Sequence, residues 1–125
     1  GVIRGAIGGH PDTAEGASLS VVVAPLTRGR IPTIVKRVNT VVTPGDVVDV
    51  VVTDQGIAVN PRRPDVKEKL EKAGLHVFTI QQLQKRAEKL VGVPDPIRYK
   101  DRIVGVVMYR DNTIIDVIRQ IDEDA

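Results

Sequence analysis

The sequence predicts an α/β domain: an open, largely parallel sheet with flanking helices and a C-terminal β-hairpin. Three observations point there. Hydrophobic residues make up 42% of the 125 positions but aromatics only 2% (Phe78, Tyr99, Tyr109), so the core must be aliphatic, built from valine and isoleucine, whose branching at Cβ suits strands better than helices. The run Val47, Val48, Val50, Val51 and Val52, bounded by Pro44-Gly45 and by Gly56, has the pattern of an interior strand covered on both faces. Downstream of it, two segments show helical spacing with their own start and stop signals.

In chain order, residues 1–16 hold Gly5, Gly8, Gly9 and Gly16 and read as a glycine-dense opening loop, backbone that must turn or approach something closely. Leu19 to Ala24 is a short apolar run and Thr33 to Val38 alternates weakly, which predicts two strands. PLTRGR, from Pro25 to Arg30, is the turn between them. The valine strand follows over Val47 to Thr53, and Ile57 to Val59 adds a short pairing segment. From Pro64 to Ala73, Val66 and Leu70 lie four residues apart among charges, with Gly74 as the stop, which predicts an amphipathic helix. A second helix starts at the capping box made by Thr79 and Gln82, carries the apolar stripe Ile80, Leu83, Ala87 and Leu90, and closes at Gly92. VPDPI, from Val93 to Ile97, is a proline-stiffened linker. Ile103 to Tyr109 and Thr113 to Ile118 then flank Arg110, Asp111 and Asn112, the signature of a terminal hairpin.

Composition excludes several function classes. A net charge of +2, with basic and acidic residues interspersed as in KEKLEK, predicts no nucleic-acid binding. With no apolar run of about 18 residues and no leader pattern, neither a membrane span nor a signal peptide is expected. The chain has no cysteine, which removes disulfides, thiolate metal sites and cysteine nucleophiles, and a cytoplasmic location is the expectation. Its two histidines, His10 and His76, lack ligand spacing, so no metal site is predicted. The chain opens at Gly1 without a methionine, and residues 1–125 are read as a single domain, the C-terminal fragment of a longer subunit.

Two stretches carry the candidate chemistry. GGHPD, from Gly8 to Asp12, places adjacent glycines where backbone N–H groups can converge on one point, as an oxyanion hole requires. An ordinary turn capped by Asp12 would explain the same residues. Past the valine strand, Asn60, Pro61, Arg62 and Arg63 stand at a strand end, where open α/β sheets bind ligands, and guanidinium forks there suit a carboxylate or phosphate. Arg28 and Arg30 in the PLTRGR turn complete the set of candidate cations. His10 is a candidate hydrogen-bonding partner for a substrate carboxylate.

The blocks GGHPDTAEGASLSVVVAPLTRGRIPTI, from Gly8 to Ile34, and VTPGDVVDVVVTDQGIAVNPRRPD, from Val42 to Asp65, together with DRIVGVVMYRDNTIIDVIRQ, from Asp101 to Gln120, resemble the C-terminal part of the citrate lyase alpha chain family, itself similar to the CoA-transferases. The likeness covers nearly the whole chain. It implies a CoA-transferase-like fold and a transferase that exchanges acetyl for citryl on an acyl-carrier-protein thioester, a step in the cleavage of citrate to oxaloacetate and acetate.

In that reading Gly8 and Gly9 are the catalytic positions, beside the reacting thioester carbonyl, and His10, Asp12, Asn60, Arg62, Arg63, Arg28 and Arg30 bind substrate. The resemblance implies no covalently bound cofactor in this chain. It implies action on the phosphoribosyl-dephospho-CoA thioester of the carrier, or on acetyl-CoA, and an oligomeric complex with the citrate lyase beta subunit and the acyl carrier protein (gamma) subunit. One departure stands out: Thr13 occupies a position where the broader family tends to carry an aromatic residue. The fragment alone is expected to be inactive. The competing readings are a non-catalytic interaction module of the lyase complex, and part of a related acyl-CoA transferase or hydrolase.

Overall fold

The computed structural model describes residues 7–124. A mixed four-stranded sheet lies at its centre in the order β1-β4-β5-β6, where β1 is Val21–Val23, β4 Val50–Thr53, β5 Gly56–Val59 and β6 Val77–Phe78. Two of its pairings, β1 with β4 and β5 with β6, are parallel, and β4 with β5 is an antiparallel hairpin. Helix α2 (Pro64–Lys72) makes the crossover from β5 to β6, the right unit for a parallel pair. The open, largely parallel α/β architecture expected from the sequence is therefore present. Among the described residues no helix is long and apolar enough to cross a membrane.

Helix α3 (Ile80–Val91) forms where its signals place it. Thr79 accepts from the Gln82 N–H at 3.1 Å while the Gln82 side chain accepts from the Thr79 N–H at 2.8 Å, and Gly92 ends the helix at φ 80°. Its stripe buries Leu83 and Ala87 completely, against Leu26 and Ala58, with Ile34 and Phe78 packed alongside. The stripe's outer members, Ile80 and Leu90, are exposed. Gly56 sits under this cluster: a Cβ there would come within 2.7 Å of the Phe78 ring and 3.1 Å of Leu83, and φ is 152°, so only glycine fits.

The remaining elements correct the sequence reading in places. Residues 10–16 are not loop but helix α1 (His10–Gly16), started by Pro11 in its first turn. The strand expected over Thr33 to Val38 does not form. Two two-residue strands, β2 (Thr27–Arg28) and β3 (Ile31–Pro32), make a minimal hairpin instead, with Gly29 at φ 61° in the turn. The Thr33 N–H then donates to the Leu26 carbonyl at 2.9 Å and its hydroxyl to Pro25, so that backbone turns in toward the core rather than into a sheet.

The valine strand starts three residues later than expected, because Gly45–Val47 is a short 3-10 turn. Asp49 holds the join: its backbone N–H reaches the Ser20 carbonyl at 3.0 Å and its carboxylate accepts the Ser20 N–H at 2.8 Å. In β4 only Val50 is buried, the other three positions being half-buried. The expectation of full cover on both faces is thus met at one residue only. The C-terminal hairpin is present and longer at its base than predicted, β7 (Tyr99–Met108) pairing with β8 (Ile114–Ile121). Asn112 at φ 65° closes the turn, and the Asp111 carboxylate accepts both the N–H and the hydroxyl of Thr113.

Two carboxylates tie loops to this frame. Asp54 accepts the N–H of the fully buried Leu26 at 2.8 Å, and Asp116 accepts the Val41 N–H at 2.7 Å and the Val117 N–H at 2.7 Å. These backbone donors, from Leu26 in one case and chiefly Val41 in the other, hold both groups below the ordinary aspartate value of 3.8. A depressed folded-state value means stability that is complete above 3.8 and lost as pH falls through the lower folded values. Urea midpoints of this chain are expected to be flat from about pH 7 to 5 and to fall below about pH 4. Asp54→Asn keeps an acceptor for Leu26 but removes the titrating charge, so it should flatten that acid limb; an unchanged slope would contradict the assignment.

Candidate functional site

The glycine pair forms the turn that leads into α1. Gly8 lies in the left-handed region at φ 63°, whereas Gly9 has φ −91° and ψ −1°, a conformation open to other residues. The Gly9 carbonyl accepts from the Thr13 N–H at 3.0 Å and from its hydroxyl at 3.1 Å. Thr13, the departure noted above, is thus used to seal the first turn of the helix. The N–H groups of Gly8 and Gly9 meet no acceptor among the described residues, and both glycines are exposed.

From this turn a chain of contacts runs through three loops. His10 Nδ1 meets Thr43 Oγ1 at 3.1 Å, and α1 packs on the 3-10 turn Gly45–Val47 that follows Thr43. The Asn60 amide donates to the Gly45 carbonyl at 3.1 Å and to Val48 at 3.0 Å, and its oxygen accepts the Arg62 N–H at 3.0 Å. Arg62 closes the circuit with an exposed ion pair to Asp46 at 3.4 Å. Gly8, Gly9, His10, Asn60 and Arg62 are therefore brought to one region, by way of TPGD (Thr43 to Asp46), which the sequence marks only as a turn.

Their roles separate here. Asn60 spends both amide hydrogens and its oxygen on backbone, so it builds the loop that carries Arg62. Arg63 is the clearest case of an internal tie. Its guanidinium grips Asp65 through Nε at 3.1 Å and Nη2 at 3.2 Å, pairs with Asp49 at 3.2 Å and donates to the Ser18 carbonyl at 3.0 Å. The hydrogen bond to Asp65 is the chief reason its pKa is raised, and reciprocally Asp65 is held low. Arg62, exposed and paired only weakly, is the cation positioned to release its carboxylate for another one. Asp12 lies in the first turn of α1 with an exposed side chain.

Arg28 and Arg30 flank the β2–β3 turn, on the hairpin that packs against α3, and neither makes an ion pair among the described residues. No described contact joins them to the glycine turn. His76 is exposed and stands edge-on to Phe78 with ring centroids 4.4 Å apart. Among the described residues no three acidic or histidine side chains are grouped to hold a metal ion.

Sequence reasoning missed the groups that the hairpin brings to α1. The Tyr109 hydroxyl donates to the Glu15 carboxylate, and Arg110 Nη1 donates to the Asp12 carbonyl at 3.3 Å. The bond to Glu15 is the main reason the Tyr109 phenol is pushed up to about 12, with burial and the negative fields of Glu15 and Asp46 adding to it. No local pattern marks either pair, since their members are 94 and 98 residues apart.

With this geometry in view, comparison with known proteins is informative. The family model of the citrate lyase alpha subunit matches residues 1–121. The chain belongs to the citrate lyase alpha subunit family. It is 60% identical to the citrate lyase alpha chain of Klebsiella pneumoniae over 121 residues, which is 97% of this chain and 24% of that protein. Identity to the Escherichia coli alpha chain is 56% and to that of Haemophilus influenzae 53%, each over 98% of this chain and about a quarter of the relative. The crystal structure of the citrate lyase alpha subunit of Streptococcus mutans in complex with citrate superposes with a TM-score of 0.93 at 54% identity, covering 98% of this chain and 24% of that one. The chain thus spans about a quarter of the length of the alpha chains it matches.

Proposed function

We propose that this chain is the part of a citrate lyase alpha subunit that supplies the oxyanion-binding glycine turn and a citrate-binding arginine to a citrate:acyl-carrier-protein transferase. The observation that carries this reading is the pair of exposed glycine amides without acceptors among the described residues, linked through His10–Thr43 and the 3-10 turn Gly45–Val47 to the Asp46–Arg62 pair. A citrate carboxylate oxygen attacks the carbonyl carbon of the acetyl thioester, and the thiolate leaves to give a mixed anhydride. The thiolate then attacks the citryl carbonyl, citryl-carrier forms and acetate departs. Each attack gathers negative charge on a carbonyl oxygen, the charge that converging N–H groups stabilise best in a site closed to water. The Gly8 and Gly9 amides serve that oxygen, while Arg62 exchanges Asp46 for a citrate carboxylate and His10 adds a hydrogen bond to it.

The thioester belongs to a phosphoribosyl-dephospho-CoA arm on an acyl carrier protein, with acetyl-CoA as the simpler substitute, and the setting is a cytoplasmic oligomeric complex with beta and gamma subunits. Arg28 and Arg30, remote from the glycine turn in the described contacts, suit the phosphates of that arm better than citrate. Residues 1–125 act as one domain, and the other catalytic groups lie elsewhere in the subunit. Support for citrate comes from the Streptococcus mutans protein, which was crystallised with it.

The test is exchange by a complete alpha chain carrying this segment, followed by mass spectrometry of the carrier: the acetyl group should be replaced by citryl on adding citrate. Arg62→Ala is expected to raise the citrate KM on the order of 10-fold, with a smaller change in kcat, as loss of one charge-assisted contact does. No citryl-carrier from the wild-type chain would refute the reading.

A further inference from the structure

Helix α1 has little apolar anchorage. It is seven residues long, buries only Pro11 and Ala14, and has no side-chain cap at its start. A helix this short does not hold itself together in water. What fixes it is polar and distant: Tyr109 on the Glu15 carboxylate and Arg110 on the Asp12 carbonyl, with His10 meeting Thr43 on the other side. The two points gripped, the Asp12 backbone carbonyl and the Glu15 carboxylate, come from residues three apart, within a single turn of helix. Tyr109 and Arg110 adjoin each other at the tip of the β7–β8 hairpin, whose turn is itself stiffened by Asp111 and Asn112.

Resting on the functional reading above, we infer that Tyr109 and Arg110 are positioning residues of the transferase, a two-point latch by which the hairpin tip holds α1 and so aims the Gly8 and Gly9 amides. The latch grips α1 at Asp12 and Glu15, within the seven-residue helix whose cap is Gly9, so its hold is carried to those amides through less than two turns of backbone. The phenol stays a donor over the whole physiological range, since its proton is retained to about 12. Helix α1 itself packs on the 3-10 turn Gly45–Val47, which carries Asp46, the resting partner of Arg62. Holding α1 thereby bears on both the oxyanion donors and the loop bearing the arginine's resting partner. Misplacing donors by a fraction of an ångström costs transfer rate without unfolding anything, and that separates positioning from mere stability.

The experiment uses the complete alpha chain and two readouts, hydrogen–deuterium exchange of peptides spanning residues 8–17 and kinetics of acyl exchange. Tyr109→Phe and Arg110→Ala are each expected to speed amide exchange in those peptides severalfold, and to lower kcat about 10-fold with the citrate KM within a factor of about two. Arg110→Lys, which can still donate to the Asp12 carbonyl, should restore most of the rate, as should Glu15→Gln, which still accepts from Tyr109. Unaltered amide exchange in both variants overturns the latch. Faster amide exchange with unaltered kcat overturns its positioning role. Failure of the underlying functional reading shows itself separately, as full acyl transfer by the Gly9→Ala variant.

Discussion

Gly9→Ala in a complete alpha chain is expected to lower acyl exchange on the order of 10²-fold or more while leaving folding and assembly intact. The two halves of that expectation rest on different facts. Stability is spared because Gly9 already has φ −91° and ψ −1°, which alanine adopts, and because no atom of the described residues lies within 4 Å of the Cβ it would gain. The bond from the Thr13 N–H to the Gly9 carbonyl is backbone and survives, so only a small N-cap preference for glycine is lost, under about 1 kcal/mol. On the proposed function, transfer is lost because a side chain at the donor residue crowds the tetrahedral oxygen, and hydrogen-bond donors act on it only from about 2.7–3.1 Å. Gly8→Ala is the poorer probe. Its φ of 63° would add roughly 1–2 kcal/mol of backbone strain and mix the two effects. Steady-state exchange together with thermal unfolding decides the matter: full activity in Gly9→Ala removes the glycines from the chemistry, and lost assembly with retained exchange favours the interaction module instead.

The largest expected effect on stability is at Leu83. It is fully buried in a cluster whose other buried members among the described residues are Leu26, Ala58 and Ala87, two of which are alanines. Truncation there leaves a cavity that small neighbours cannot collapse to fill, so Leu83→Ala should cost about 3–5 kcal/mol. Against a total of about 5–15 kcal/mol for an ordinary domain, that is enough to leave much of the population unfolded on warming. The urea midpoint should fall with little change in slope. A loss of under about 1 kcal/mol would mean that α3 is held by something other than this cluster. Leu90→Ala, on the same stripe but exposed, is the control and should change stability by under about 1 kcal/mol.

Much of the fold was legible because its signals are local. The Thr79–Gln82 box and Gly92 gave α3 its bounds, and Asp111-Asn112 gave the hairpin its turn, since each is decided by residues within four positions. Helix α1 escaped because it has no side-chain cap and too few residues for a period to show. The strand over Thr33 to Val38 was over-read: alternation there is weak, and the Thr33 N–H and hydroxyl are captured by Leu26 and Pro25. At the candidate site, residue type alone marks the glycine pair, Asn60 and the arginines as candidates. Which of them are already tied down is not legible there, because Arg63 is held by Asp49 and Ser18, 14 and 45 positions away, besides Asp65, and Asn60 by the Gly45 and Val48 carbonyls. Tyr109 was invisible for the same reason in stronger form.

The reach of these ties has a consequence for how the protein is made. The opening helix is gripped by residues 94 and 98 positions downstream, and Val41 is tied to Asp116. Ribosomes deliver the chain at about 5–20 residues per second, so the glycine turn waits several seconds before its partners emerge. Until then it is a short, unsupported segment, and polypeptides released prematurely should be inert rather than weakly active.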